Sequence, residues 1–132
     1  MGNIEEANKW VGLAERDIVI ANHLNETLTP KPVEIVCFHA QQAAEKILKA
    51  ILAFHDARIR KTHDIMEIID LCREHTDDII FDERIANLLS EFAVAPRYIV
   101  DRRDFTDDTA AFAIKQAENI MEQVRQYLQK QQ

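Results

Sequence analysis

Between Val36 and Phe54 the apolar residues Val36, Ala40, Ala43, Ile47, Ile51 and Phe54 recur at spacings of four and three. That period belongs to one face of an α-helix and not to the two-residue alternation of a strand, so it predicts a helix from about Pro32 to Phe54 or Ala57. The same period returns along the chain. From Ile4 to about Leu28, Ala7, Val11, Ala14, Ile18 and Ala21 form a stripe, and "TLTPKP" ends it because prolines 30 and 32 cannot continue the hydrogen-bond ladder. Trp10, Leu13, Ile20 and Leu24 fall beside that stripe, making the first helix apolar over a wide arc that two neighbouring helices or a second subunit would cover.

Three further helices follow. Thr62 is a candidate N-cap, with Asp64 in the first turn and Ile65, Ile68, Ile69 and Cys72 inward. Asp82 is the candidate cap of a fourth helix, with Ile85, Leu88, Leu89 and Phe92 at helical period. Thr106, followed by Asp107 and Asp108, is that of a fifth, whose inner face is Ala110, Ala113, Ala117, Ile120, Val124 and Leu128. Two glycines and three prolines in 132 residues are too few for a sandwich or a barrel. The expectation is a single all-α domain over residues 1–132, an up-and-down antiparallel bundle of four to five helices with short links.

The second helix poses a problem. His39, Gln42, Lys46 and Lys49 lie in one narrow band along the edge of its apolar face. An imidazole, an amide and two ammonium groups in line could hold an anionic or nucleotide-like ligand. Alternatively, the lysine stems cover apolar surface with their heads in water, and Lys49 pairs with Glu45 at i, i+4; for Lys49 this second reading is preferred. His63 opens the third helix, where it either points into the same space or hydrogen-bonds at the helix start. His55 and His75 sit at helix ends, suited to the last carbonyls, and carry no assigned chemistry.

In "APRYIVDRRDF" three arginines, Arg97, Arg102 and Arg103, gather near Tyr98. Arginine forks grip phosphate and a tyrosine stacks on a base, so Arg97, Tyr98 and Arg102 are candidate nucleotide or RNA contacts. The competing reading pairs these arginines with Asp101, Asp104, Asp107 and Asp108, most strongly for Arg103.

Several function classes are not supported. The only glycines are Gly2 and Gly12, so there is no glycine-rich phosphate loop. No metal-ligand spacing is present among the histidines and cysteines, and neither a metal nor a cofactor is expected. Cys37 and Cys72 lie within apolar helical patterns, as small core residues of a reduced, cytoplasmic protein would. No run approaches the ~18 apolar residues of a membrane span. A formal charge of −7 argues against indiscriminate nucleic-acid binding, but not against a local basic pocket.

Taken in order, "NKWVGLAERDIVIA", "FHAQQAAEKILKAIL", "KTHDIMEIIDLC" and "APRYIVD" make the chain resemble a HEPN domain over nearly its whole length, the second block being the most specific. That family comprises small helical bundles named for suspected nucleotide binding. The resemblance implies a bundle that is commonly homodimeric, and many prokaryotic members work beside a minimal nucleotidyltransferase as a two-component or toxin-antitoxin pair. It puts His39, Gln42, Lys46, His63, Arg97 and Tyr98 at the family's polar positions.

Ribonuclease members carry an Arg-x(4 to 6)-His motif near the start of a late helix, paired by a dimer. No histidine follows Arg97, Arg102 or Arg103, so that active site is absent from its usual place; Arg58 and His63 fit the spacing in "RIRKTH", but between the second and third helices, where so loose a pattern arises easily by chance and is read as a decoy. The run "PRYIVD" also departs from the family's usual alanine-arginine-tyrosine-proline order, which alters the backbone around Arg97 and Tyr98. The leading expectation is a non-catalytic nucleotide- or nucleic-acid-binding module, homodimeric and serving a nucleotidyltransferase partner, with no catalytic residue assigned. The alternatives are a metal-independent ribonuclease, with histidines in acid–base roles, and a purely structural interaction protein.

Overall fold

Helical period, caps and breakers act together to give five helices. In a computed structural model, which describes residues 2–93 and 106–132, these are α1 (Ile4–Thr27), α2 (Val33–Phe54), α3 (Ile65–Arg73), α4 (Glu83–Glu91) and α5 (Asp107–Lys130). The described residues contain no strand, and the chain is an all-α, up-and-down bundle. α2 is its central element. Sixteen of its residues are buried, and it packs against each of the other four helices.

Caps set the starts. Asn3 accepts from the Glu6 N–H at α1, Asp82 from Arg84 at α4, and Thr106 forms a capping box with Thr109 at α5. At α3 the expected cap is displaced by two residues. Asp64, not Thr62, accepts from the Met66 and Glu67 N–H groups, while Thr62 Oγ1 accepts from the Asp64 N–H and donates to Glu67 Oε2. The two side chains act in series, and the carboxylate nearer the first turn takes the orphan donors.

The inward stripes are buried as the period requires, with two exceptions. On α4 Leu88 is exposed and Ala86 is buried in its place. On α1 Val11, Trp10, Ile20 and Leu24 are half-buried, and the wide arc packs largely against α2 and α5 of the same chain; Leu13 and Val19 remain exposed. Two ties fix the ends of the bundle. The Asn3 N–H donates to the Phe54 carbonyl at 2.7 Å, holding the start of α1 on the end of α2. Between α3 and α4, the Gln123 side chain of α5 grips both backbone groups of Ile80, accepting from its N–H at 2.7 Å and donating to its carbonyl at 2.9 Å. That grip holds the linker to α5 and so helps position α4 beside the start of α3.

Candidate functional site

The polar band of α2 divides between two buried carboxylates. Asp17, on the inner face of α1 between Ala14 and Ala21, is the first. Its Oδ1 lies 2.9 Å from His39 Nδ1 and its Oδ2 2.5 Å from Lys46 Nζ. A carboxylate only accepts, so the His39 Nδ1 carries the shared proton and its Nε2 is left for other partners. Asp17 is 9 % exposed, whereas the Lys46 side chain is 26 % exposed, so the lysine's charge is balanced from within the protein before it reaches solvent.

Glu45, one residue before Lys46 and turned toward α3, is the second centre. Its Oε1 accepts from His63 Nδ1 at 2.7 Å and from Gln41 Nε2 at 3.2 Å; its Oε2 accepts from Lys49 Nζ at 3.1 Å. Gln42 Nε2 donates to Gln41 Oε1 at 2.7 Å, and Gln41 Nε2 also reaches the His63 carbonyl at 3.4 Å. Each hydrogen bond lowers the cost of burying the carboxylate, which is 5 % exposed in its side chain. His63 itself is 47 % exposed. The result is an imidazole whose Nδ1 is fixed inside the bundle and whose Nε2 is available to solvent, the arrangement by which a carboxylate sets tautomer and orientation for proton transfer.

Lys49 is the least solvated lysine of the band. Its ammonium pairs with Glu45, as the i, i+4 spacing predicts, but it is buried rather than in water, 5.6 Å over the ring of Trp10 from α1. Arg58 is exposed, and Arg60 pairs with Glu67 at 3.4 Å. Arg97, Tyr98, Arg102 and Arg103 lie outside the described residues.

His63 borders an open cleft of about 320 Å³, lined also by Asp64 from the α3 cap and by Asn87, Ser90 and Glu91 from α4. At the C-terminal end of α2, His55 stacks on His75 with centroids 4.4 Å apart, and its Nε2 shares a hydrogen bond of 2.6 Å with the Tyr127 hydroxyl. Burial and then the neighbouring His75 lower the His55 pKa below its ordinary value, which favours the neutral ring. Among the described residues no group of three or more His, Cys, Asp or Glu is placed to hold a metal ion, and no helix is long and apolar enough to cross a membrane.

The helix order is that of a known family. The family model for the HEPN domain matches residues 7–127, which include both carboxylate centres and all five helices except the first turn of α1 and the last residues of α5. The chain belongs to the HEPN domain family. Over 141 aligned residues, spanning 96 % of this chain and 90 % of the relative, it is 27 % identical to a Methanocaldococcus jannaschii protein named "Putative toxin MJ1304". It also resembles the crystal structure of ST0689, an archaeal HEPN homologue, at a TM-score of 0.71 and 25 % identity over 93 % of this chain and 98 % of that one. The fold is shared with TT1696 from Thermus thermophilus, at a TM-score of 0.69 and 22 % identity over 92 % and 97 % of the two chains.

In this HEPN chain, three polar residues that anchor the site were not singled out as site candidates by sequence reasoning. Asp17 had a legible signal, since it shares the inner face of α1 with Ala14, Ile18 and Ala21. Gln41 and Glu45 had a weaker one: with Lys49 they form an i, i+4, i+8 polar row inside a buried helix.

Proposed function

We propose that this HEPN domain, a single domain across the chain, acts on RNA as the toxin-like member of a two-component pair, cleaving it without a metal ion. The contact of the half-exposed His63 with the buried Glu45 is the observation that carries this reading. His63 Nε2 takes the proton of a ribose 2′-hydroxyl; the oxygen attacks the adjacent phosphorus, and the bond from phosphorus to the 5′-oxygen breaks. The departing 5′-oxygen needs a proton, which the His63 of a second copy supplies, and the products are a 2′,3′-cyclic phosphate and a 5′-hydroxyl. In a homodimer of this kind Arg97 and Arg102 neutralise the phosphate and Tyr98 stacks on a base. A minimal nucleotidyltransferase is the partner that restrains it, in the cytoplasm. The name of the M. jannaschii relative supports the toxin-like role.

A second reading, a HEPN module that holds a nucleotide or RNA without cutting it, is favoured by the lack of any histidine after Arg97, Arg102 and Arg103. In it His39, Gln42, Lys46 and His63 contact the ligand. The test is electrophoresis of a short single-stranded RNA incubated with the protein in EDTA. Cleavage to cyclic-phosphate ends is expected, with a loss of ~10²-fold or more in His63→Ala, the usual worth of a general acid or base. Saturable binding of RNA that stays intact would refute the nuclease and establish the module.

A further inference from the structure

The cleft beside His63 is built for a particular kind of chemical group. Of its lining residues, Ser90 is committed: its Oγ accepts from the Ile65 N–H at 2.8 Å and donates to the Ala86 carbonyl at 3.0 Å. Asp64 is occupied capping α3. His63 keeps Nε2, and Asn87 and Glu91, one turn apart on α4 and both exposed, make no hydrogen bond or ion pair with the described residues. The cleft is therefore lined by an unspent imidazole nitrogen, an amide and a carboxylate.

A phosphate does not suit that lining. Among the described residues no lysine or arginine borders the cleft, and Asp64 and Glu91 both repel an anion. Glu91 instead calls for a ligand with N–H donors, two of them side by side if both carboxylate oxygens are to be used. On single-stranded RNA such donors are found on base edges, which proteins read when the base is splayed out of its stack. Guanine alone among the four bases has two adjacent N–H groups, N1–H and the N2 amine, followed by an acceptor, O6. Adenine offers one donor next to a ring acceptor, cytosine one donor next to two acceptors, and uracil one donor between two carbonyls. Each of these three places an acceptor against the carboxylate.

We infer that the cleft between His63 and α4 reads an unpaired guanine base, with Glu91 accepting from N1–H and the N2 amine and Asn87 donating to O6. A volume of about 320 Å³ is at the small end of ligand sites, which suits one base rather than a longer segment. The inference rests on RNA being the ligand of the His63 site, as proposed above, and names the base that sits beside it.

Four fluorescent RNA hexamers, uridine throughout except for one central guanine, adenine, cytosine or inosine, are titrated into the full chain in EDTA, and the same samples are then run on a gel. The guanine hexamer is expected to bind ~10-fold or more tightly than the adenine one, the usual discrimination of a bidentate contact, with inosine between them because it lacks the N2 amine. Glu91→Gln removes the preference, and Asn87→Ala weakens it; both residues are exposed, and unchanged thermal melts confirm that the variants fold. Equal binding of all four hexamers, no binding of any, or a guanine preference untouched by Glu91→Gln each overturn the inference. The gel separates it from the nuclease reading. Uncut RNA with a preference that depends on Glu91 removes the nuclease and keeps the guanine site, whereas cutting without base preference does the reverse.

Discussion

Replacing Asp17 with alanine tests whether a buried carboxylate holds α1 on α2. The variant loses two charge-assisted hydrogen bonds, from His39 and from Lys46, each worth ~1.5–3 kcal/mol in a protected setting. Full values do not apply, because the His39 and Lys46 side chains are 24 % and 26 % exposed and regain water when the carboxylate leaves. Alanine also returns up to ~0.7 kcal/mol of helix propensity. The expected net loss is ~2 kcal/mol, between the ~3–5 of breaking a buried pair and the ~0–1 of an exposed one. For 132 residues at ~2.1 cal/mol/K each, the unfolding entropy is ~0.28 kcal/mol/K, so Tm falls by ~7 °C. Urea unfolding followed by far-ultraviolet circular dichroism measures the loss as a lower midpoint at unchanged slope. A double-mutant cycle with Lys46→Met isolates the pair, with a coupling of ~1 kcal/mol or more expected. A loss below ~0.5 kcal/mol, or coupling indistinguishable from zero, would refute the argument by showing that Asp17 behaves as a surface charge.

Two further outcomes follow from the titrating groups. Burial pushes the Cys37 thiol up to about 12, helped by Glu34, and burial does the same for Cys72, so neither reacts with a thiol reagent at pH 8 until urea unfolds the chain; prompt labelling of the native protein would contradict the buried placement. The His55 pKa lies below its unfolded value, so above the unfolded pKa both states are neutral there and stability is full, whereas on acidification the unfolded state takes up the proton first and stability falls until the folded pKa is passed. Thermal melts between pH 7 and pH 5 are expected to show a smaller drop in Tm for His55→Gln than for the parent; equal drops would remove His55 from the account.

The fold was largely legible because α2, α3 and α5 repeat their apolar residues at helical period, and tertiary packing followed that period. Only the α3 cap moved. Thr62 and Asp64 are both competent caps, and the sequence does not rank two caps that act in series. The site was less legible for a different reason. Its members were visible as residue types, but partners came from other helices: the Lys49 ammonium lies over the Trp10 ring of α1, His39 and Lys46 meet Asp17 of α1, and His63 meets Glu45 from α2. A helical wheel treats the band on α2 as a surface edge. Only the crossing of α1 over that edge turns Lys49 from a solvated cation into a buried one. The guanidinium and tyrosine candidates, Arg97, Tyr98 and Arg102, lie outside the described residues.

Both carboxylates have a role that apolar packing cannot supply. Both helices of the α1–α2 pair are rich in buried alanine, with Ala7, Ala14 and Ala21 on one and Ala40, Ala43, Ala44 and Ala50 on the other. Small side chains repeated turn after turn distinguish poorly between registers one turn, ~5.4 Å, apart. Asp17 breaks that degeneracy. It bonds to His39 and Lys46, two turns apart on α2, so it must sit between them, and a slide of one turn in either direction would strand one of the two donors. Glu45 does the same for α3 by fixing His63 just before the helix begins. The coupling measured between Asp17 and Lys46 is therefore also a measure of how strongly the register is specified. The acid–base role proposed for His63 requires that register, because an imidazole held about an ångström out of place loses most of its effect.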